Sequence, residues 1–192
     1  MALVLLGLSM VLVSDQHFLR GEVGVFEAVN DWPRWAGAPL EVVMQLGTLA
    51  AAIALVVGVG AATLPHRPRP VVAIALAAAA AWQLDDVLKE LTERPRPGPV
   101  LPGVAIVRDQ ADGFGFPSGH TTMAFALAAV LHPMLPPRLR WIPWVLAVLV
   151  GVARIYAGVH WPMDVVGGAC LGIAIGTATS ALVTSRYGRR PA

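Results

Sequence analysis

The chain has 192 residues, of which 56% are hydrophobic and 14% charged, against about 25% charged in an average soluble chain. Its mean hydropathy is +0.66. That composition excludes a disordered chain, which would be poor in apolar residues, and the single cysteine, Cys170, excludes a secreted disulfide scaffold. A net charge of +2, with arginines spread between apolar blocks, argues against a nucleic-acid partner. What remains is an integral membrane protein with residues 1–192 in one domain.

A helix needs roughly 20 apolar residues to cross about 30 Å of hydrocarbon. Residues 1–13 are apolar and end near Asp15. They lack a basic n-region and an A-x-A cleavage pattern, which favours an anchor helix over a signal peptide. Residues 14–41 mix Phe18, Phe26, Trp32 and Trp35 with charges. Tryptophan prefers the headgroup level, so this stretch reads as an interfacial helix or a pair of short helices on the outer surface. An ordinary loop with a few aromatics is the alternative.

Residues 42–64 form a long uncharged run and read as a span. Residues 71–84 are uncharged, then meet Asp85, Asp86 and Lys89. Residues 121–135 and 141–153 are shorter apolar runs, each beside a polar cluster; helices that extend through those clusters become long enough to span. Residues 165–185 form a second long uncharged run, with Gly167, Gly168, Gly172 and Gly176 on or near one face. Small residues of this kind let membrane helices pack closely. The fold class predicted is an all-α polytopic membrane bundle of about six spans, plus the interfacial segment.

Six spans put both termini on one side. The connections on that side carry Arg67, Arg69, Arg138, Arg140, Arg186, Arg189 and Arg190, with no acid among them. Positive residues in short loops stay cytoplasmic. The termini are therefore expected in the cytoplasm, with residues 92–120 and 154–164 facing outward.

Ionisable groups beside membrane spans are costly and mark functional sites by default. Three clusters stand out. His160 and Asp164 share a face if a helix runs through them. A carboxylate on one ring nitrogen orients an imidazole and leaves the other nitrogen free to attack. Pro162 suits the first turn of a helix, so the last span is expected to begin near His160 or Trp161. A purely structural His–Asp pair is the alternative. Ser118 and Gly119 precede an apolar helix, where free N–H groups suit a phosphate. His120 then sits where it can protonate a leaving oxygen, although a helix cap explains a lone Ser-Gly-His as well. Lys89, Arg96 and Arg154 supply fixed positive charge, with Arg able to grip two phosphate oxygens. Glu90 and Glu93 are near enough in sequence to pair with some of it, and snorkelling to headgroups is a further alternative. Together these parts suit phosphoryl transfer without a metal. The sequence offers neither an obvious carboxylate cluster for Mg²⁺ nor a His/Cys set for zinc.

The run Lys89-x6-Arg96-Pro97, then Pro117-Ser118-Gly119-His120, then Arg154-x5-His160-x3-Asp164 resembles the three-part signature of the type 2 phosphatidic acid phosphatase superfamily. The resemblance implies an integral-membrane lipid phosphatase with no cofactor or metal. In it His160 would be the nucleophile, Asp164 its orienting acid and His120 the general acid. Lys89, Arg96, Ser118, Gly119 and Arg154 would hold the phosphate. The family carries Ser before the third-motif Arg, and this chain has Ala153. That loses a hydroxyl, worth roughly 1.5–3 kcal/mol if bonded to a charged oxygen. Arg94, in an Arg-Pro pair two residues early, is a candidate to fill in.

The expected partners are a lipid phosphate and the bilayer, with no nucleic acid and no obligate protein partner. An outward site suits a polyprenyl diphosphate such as undecaprenyl diphosphate. Phosphatidylglycerol phosphate, phosphatidic acid and a polyprenyl-phosphate sugar phosphate are alternatives within the class. A lipid-binding or transport protein without turnover is the competing class, with Ala153 in its favour. Among fourteen Lys and Arg residues the one lysine, Lys89, falls on the motif's lysine position.

Overall fold

The computed structural model describes residues 1–14, 21–63, 68–105 and 113–187. Among these there is no strand, and nine α-helices follow in chain order. They are α1 (Ala2–Ser14), α2 (Glu22–Asn30), α3 (Gly37–Met44), α4 (Leu49–Thr63), α5 (Arg69–Thr92), α6 (Pro97–Val100), α7 (Gly119–Leu131), α8 (Ile142–Tyr156) and α9 (Pro162–Tyr187). Part of the 14–41 stretch, residues 15–20, and the tail arginines Arg189 and Arg190 lie outside the described residues, as does Arg67.

Three stretches are long and apolar enough to cross a membrane: Arg69–Val100, Pro137–Tyr156 and Pro162–Val183. A fourth qualifies only as a bent pair, Arg34–Gly47 with Leu49–Ala61, meeting at 63°. The uninterrupted span expected over residues 42–64 is therefore broken. The break falls at Gly47 and Thr48. A Cβ on Gly47 would lie 2.5 Å from the backbone oxygen of His120, so only glycine permits this approach. Thr48 turns to an extended conformation. Its Oγ1 then accepts the Ala51 N–H at 3.1 Å, capping α4.

The remaining apolar helices, α1 and α7, have 13 residues each, and a helix of that length rises only about 20 Å. In α7 every residue from Thr121 to Val130 is buried. A helix that is apolar all round belongs in the interior, and α7 is the centre of the bundle, with α5, α8 and α9 packed around it.

The glycines of α9 explain how close that packing is. A Cβ at Gly168 would sit 2.7 Å from the Ser118 carbonyl oxygen, and those at Gly172 and Gly176 would run into the carbonyls of Thr122 and Ala126. Three glycines spaced four apart thus face three α7 carbonyls spaced four apart. Close packing, the reading the sequence favours for these glycines, is what they do.

The polar segment 14–41 becomes α2, a short 3-10 turn and α3. Trp32 and Trp35 are exposed, whereas Phe26 is buried against Trp161 with ring centroids 5.1 Å apart. Asn30 binds the α8 terminus and the 105 loop together. Its Nδ2 donates to the carbonyls of Tyr156 and Ala105, both at 2.9 Å, and its Oδ1 accepts the Ala105 N–H at 3.0 Å. The pair of helices is therefore packed into the fold along one side.

Adding a side chain at the α7–α9 contact forces the helices apart. Gly172→Val is expected to destabilise the protein by about 1–3 kcal/mol, the usual cost of overpacking. Thermal unfolding in detergent micelles checks this as a Tm several degrees below that of the parent protein.

Candidate active site

Alternating helix direction brings five chain segments to one end of the bundle. These are the end of α5, the start of α7, the end of α8, the start of α9 and the α3–α4 junction. Between them lies a cleft of about 310 Å³. Six of the eight residues singled out from sequence line it: Lys89, Arg96, Gly119, His120, Arg154 and His160. Thr48, Asp85, Asp86 and Trp82 join them. The N-termini of α4 and α7 both open onto the cleft, adding partial positive charge to the three cations.

His160 is almost fully buried, and its two ring nitrogens have different neighbours. Nε2 lies 3.2 Å from Arg96 Nη1. A guanidinium only donates, so Nε2 carries the lone pair and Nδ1 carries the hydrogen. Nδ1 faces Asp164 Oδ2 at 3.4 Å, long for a hydrogen bond. Burial, and then the charges of Arg154, Arg96 and Lys89, hold the imidazole well below its ordinary pKa, which favours the neutral ring.

The route to this pairing differs from the expected one. α9 starts at Pro162, so no helix runs through His160. Instead Asp164, in the first turn, bends back so that Oδ2 accepts the Trp161 N–H at 2.9 Å. This is the carboxylate half of a capping box. His160 meets the same carboxylate from the preceding loop.

Asp164 and Ser118 sit behind the cleft wall, both with 0% exposure. Ser118 occupies the N-cap position of α7 but makes no side-chain cap bond. Its Oγ accepts from Thr121 Oγ1 at 3.0 Å, and its N–H donates to the Asp164 carbonyl at 3.0 Å. It ties the starts of α7 and α9 together. Gly119 lines the cleft and also makes room for Asp85, whose Oδ2 would lie 2.6 Å from a Cβ there.

Lys89 pairs with Asp85, one turn earlier on α5, rather than with Glu90 or Glu93. Thr122 Oγ1 touches the same carboxylate at 3.4 Å. Asp85 was legible as a buried acid within a span, four residues before the motif lysine. Arg96 is anchored by the carbonyls of Gly113 (Nε, 3.1 Å) and Val159 (Nη1, 2.9 Å). Arg154 Nη1 points at Met44 Sδ, 3.8 Å away, which ties α8 to α3.

Two expectations about substitutes change. Ala153 is fully buried in an apolar cluster with Ala36, Leu40, Met44 and Tyr156, and is not among the cleft-lining residues. Arg94 does not join the cations of the cleft. It is 1% exposed and bridges two buried carboxylates, with Nη1 on Asp164 Oδ1 and Nη2 on Glu22 Oε2, both at 2.7 Å. Glu22 in turn accepts the Met163 N–H at 3.0 Å. No local pattern in the sequence marks Glu22, because its partners lie 72 and 141 residues away.

Removing Arg94 strands two buried carboxylates. Arg94→Leu is expected to cost about 3–5 kcal/mol, as for other broken buried pairs. Denaturation in detergent followed by circular dichroism measures it; a Tm equal to that of the parent protein contradicts the bridge.

Residues 41–187 match the family profile of the PAP2 superfamily. Over 177 residues the chain is 31% identical to decaprenylphosphoryl-5-phosphoribose phosphatase of Mycobacterium tuberculosis, covering 89% of this chain and 93% of that protein. A 90-residue stretch is 33% identical to the bacitracin transport permease protein BcrC of Bacillus licheniformis, where it spans 47% of this chain but only 44% of that relative's length. The crystal structure of the PAP2 type phosphatidylglycerolphosphate phosphatase from Bacillus subtilis shares the fold end to end, with a TM-score of 0.79 and 26% identity over 98% of both chains. A profile match across most of the sequence and a helix bundle common to both ends agree with the histidine-lined cleft, and the chain belongs to the PAP2 superfamily.

Proposed function

We propose that this chain is a single-domain membrane phosphatase that hydrolyses the terminal phosphate of a polyprenyl diphosphate through a phosphohistidine. The observation that carries the reading is the geometry at His160, whose Nε2 lies 3.2 Å from Arg96 Nη1 in the cleft and whose Nδ1 faces Asp164 Oδ2 at 3.4 Å. The Nε2 lone pair attacks phosphorus, and the bond from phosphorus to the leaving oxygen breaks. Burial and the charges of Arg154, Lys89 and Arg96 keep His120 unprotonated without substrate; it takes up a proton as the anionic phosphate offsets those charges, and gives it to that oxygen. The imidazole keeps its Nδ1 hydrogen and gains positive charge, which Asp164 offsets. Water deprotonated by His120 then attacks the phosphohistidine, releasing phosphate and returning Nε2 to its neutral state. Lys89, Arg96 and Arg154, with the Gly119 backbone at the α7 N-terminus, hold the phosphate oxygens. Three fixed cations then stabilise the charge spread over the equatorial oxygens, a task that metal ions perform in other phosphoryl transfers.

The basic end of the bundle supports the sidedness. Arg69, Arg138 and Arg140 lie at the end opposite the cleft. Positive loops that stay cytoplasmic favour an extracytoplasmic site. A phosphomonoester on a lipid head group is the second reading, supported by the relatives named for decaprenylphosphoryl-5-phosphoribose and phosphatidylglycerolphosphate.

His160→Ala is expected to abolish phosphate release from lipid phosphates in detergent micelles, and the parent activity is expected to persist in EDTA. Undiminished release by the variant contradicts the reading. Competing rates on undecaprenyl diphosphate, phosphatidylglycerol phosphate and decaprenylphosphoryl-5-phosphoribose separate the two substrate classes.

The nucleophile must be neutral. Because burial and the surrounding cations lower its pKa, His160 is expected to stay unprotonated as pH falls through 6.5, where an ordinary histidine is half protonated. Ring NMR of the substrate-free protein checks this. A His160 signal titrating near 6.5 is the contrary result.

A further inference from the structure

We infer that Glu22, on α2, is a positioning residue for the His160 chemistry, acting through Arg94 to keep net negative charge behind the imidazole. The inference rests on the phosphohistidine reading above. Asp164 is the acid that faces the ring, yet its other oxygen is bound by a guanidinium at 2.7 Å. A carboxylate neutralised by a buried arginine stabilises a developing cation poorly. Glu22 changes that balance. It takes the second edge of the same guanidinium at 2.7 Å, so one cation is shared between two carboxylates and the trio carries a net charge of −1.

All three side chains are nearly sealed from water, with side-chain exposures of 2% for Glu22, 1% for Arg94 and 0% for Asp164. Solvent screening is therefore weak, and the missing charge would be felt at the ring. The geometry is also rigid. Glu22 Oε1 accepts the Met163 N–H and Asp164 Oδ2 accepts the Trp161 N–H, so two carboxylates from different helices cap the start of α9. Trp161 packs beside the guanidinium, 6.0 Å from ring centroid to Arg94 Cζ, and donates from Nε1 to the Pro95 carbonyl at 3.0 Å. Positive charge lines the cleft face of His160 and this negative trio lines its rear face.

Glu22 also lies outside the stretch that matches the family profile, residues 41–187. The N-terminal segment therefore completes the electrostatics of a centre whose reacting groups all come from residues 89–164.

In the first step of the proposed reaction the ring gains a positive charge as the N–P bond forms. Loss of Glu22 charge should slow that step and leave phosphate binding alone, since Lys89, Arg96 and Arg154 are untouched. Glu22→Gln keeps the length of the side chain and removes the charge. Glu22→Asp shortens it and keeps the charge. Both are made in the full chain and assayed in detergent on whichever lipid phosphate the parent protein hydrolyses, with acid-labile phosphoenzyme conditions avoided by alkaline quench. Glu22→Gln is expected to lower kcat about tenfold or more with KM nearly unchanged, a loss confined to the transition state. Trapped phosphohistidine should fall with it. Glu22→Asp should retain more kcat than Glu22→Gln despite the poorer fit. A purely structural role gives the reverse order, or equal losses that follow Tm, and either result overturns the inference. So does failure of Glu22→Gln to fold while Glu22→Asp folds with parent kcat reduced as far as a destabilised protein predicts. His160→Ala in the same assay reports separately on the phosphohistidine reading: if it stays active, that reading fails whatever the Glu22 variants do.

Discussion

The close seat of α7 on α9 is the contact on which the rest of the structure depends. Three α9 glycines let three α7 carbonyls approach to distances no side chain would permit. That contact brings the first residues of both helices together, and the Ser118 N–H then reaches the Asp164 carbonyl. The two histidines follow from it. His120 sits in the first turn of α7 and His160 just ahead of α9, so seating the helices points both at one cleft. A bundle with a wider α7–α9 spacing would keep its spans and lose the juxtaposition.

A second constraint is the burial of charge. Lys89 with Asp85, and Arg94 with Asp164 and Glu22, all lie in or beside apolar helices. Isolated charges there would be expensive, and removing one partner of a buried pair is strongly destabilising. The pairings explain which cations remain on the cleft side. Arg94 is committed to two carboxylates behind the wall, whereas Arg96, two residues later, turns into the cleft and is held there by backbone carbonyls. Two similar arginines thus take opposite tasks. Glu93 ends α5 in a left-handed conformation at φ 45°, and Arg96 is extended at the start of α6.

The break between α3 and α4 has the same origin. A straight helix through residues 42–64 would satisfy the bilayer, and the apolar pattern alone predicts one. The tertiary fold instead spends this stretch on reaching His120. Gly47 provides the close approach, and Thr48 restarts the helix with its own side-chain cap. The turn chemistry of Gly-Thr was visible in the sequence, but hydropathy masks it because neither residue is charged.

The sequence by itself determined the helical membrane class, the three polar clusters and the glycine face of the last helix, and it put the start of that helix within two residues of Pro162. These rest on local physics: runs of apolar residues, i and i+4 spacing, and the fit of proline at a helix start. Only the tertiary structure decided that Ser118 and Asp164 stand behind the cleft, that Ala153 belongs to an apolar cluster, that α7 is the buried centre of the bundle and that Arg94 answers to Glu22. Each of these depends on partners far apart in the chain. Periodicity reports which side of a helix is apolar, and carries no record of which distant residue will cover it or which distant carboxylate will meet a given arginine.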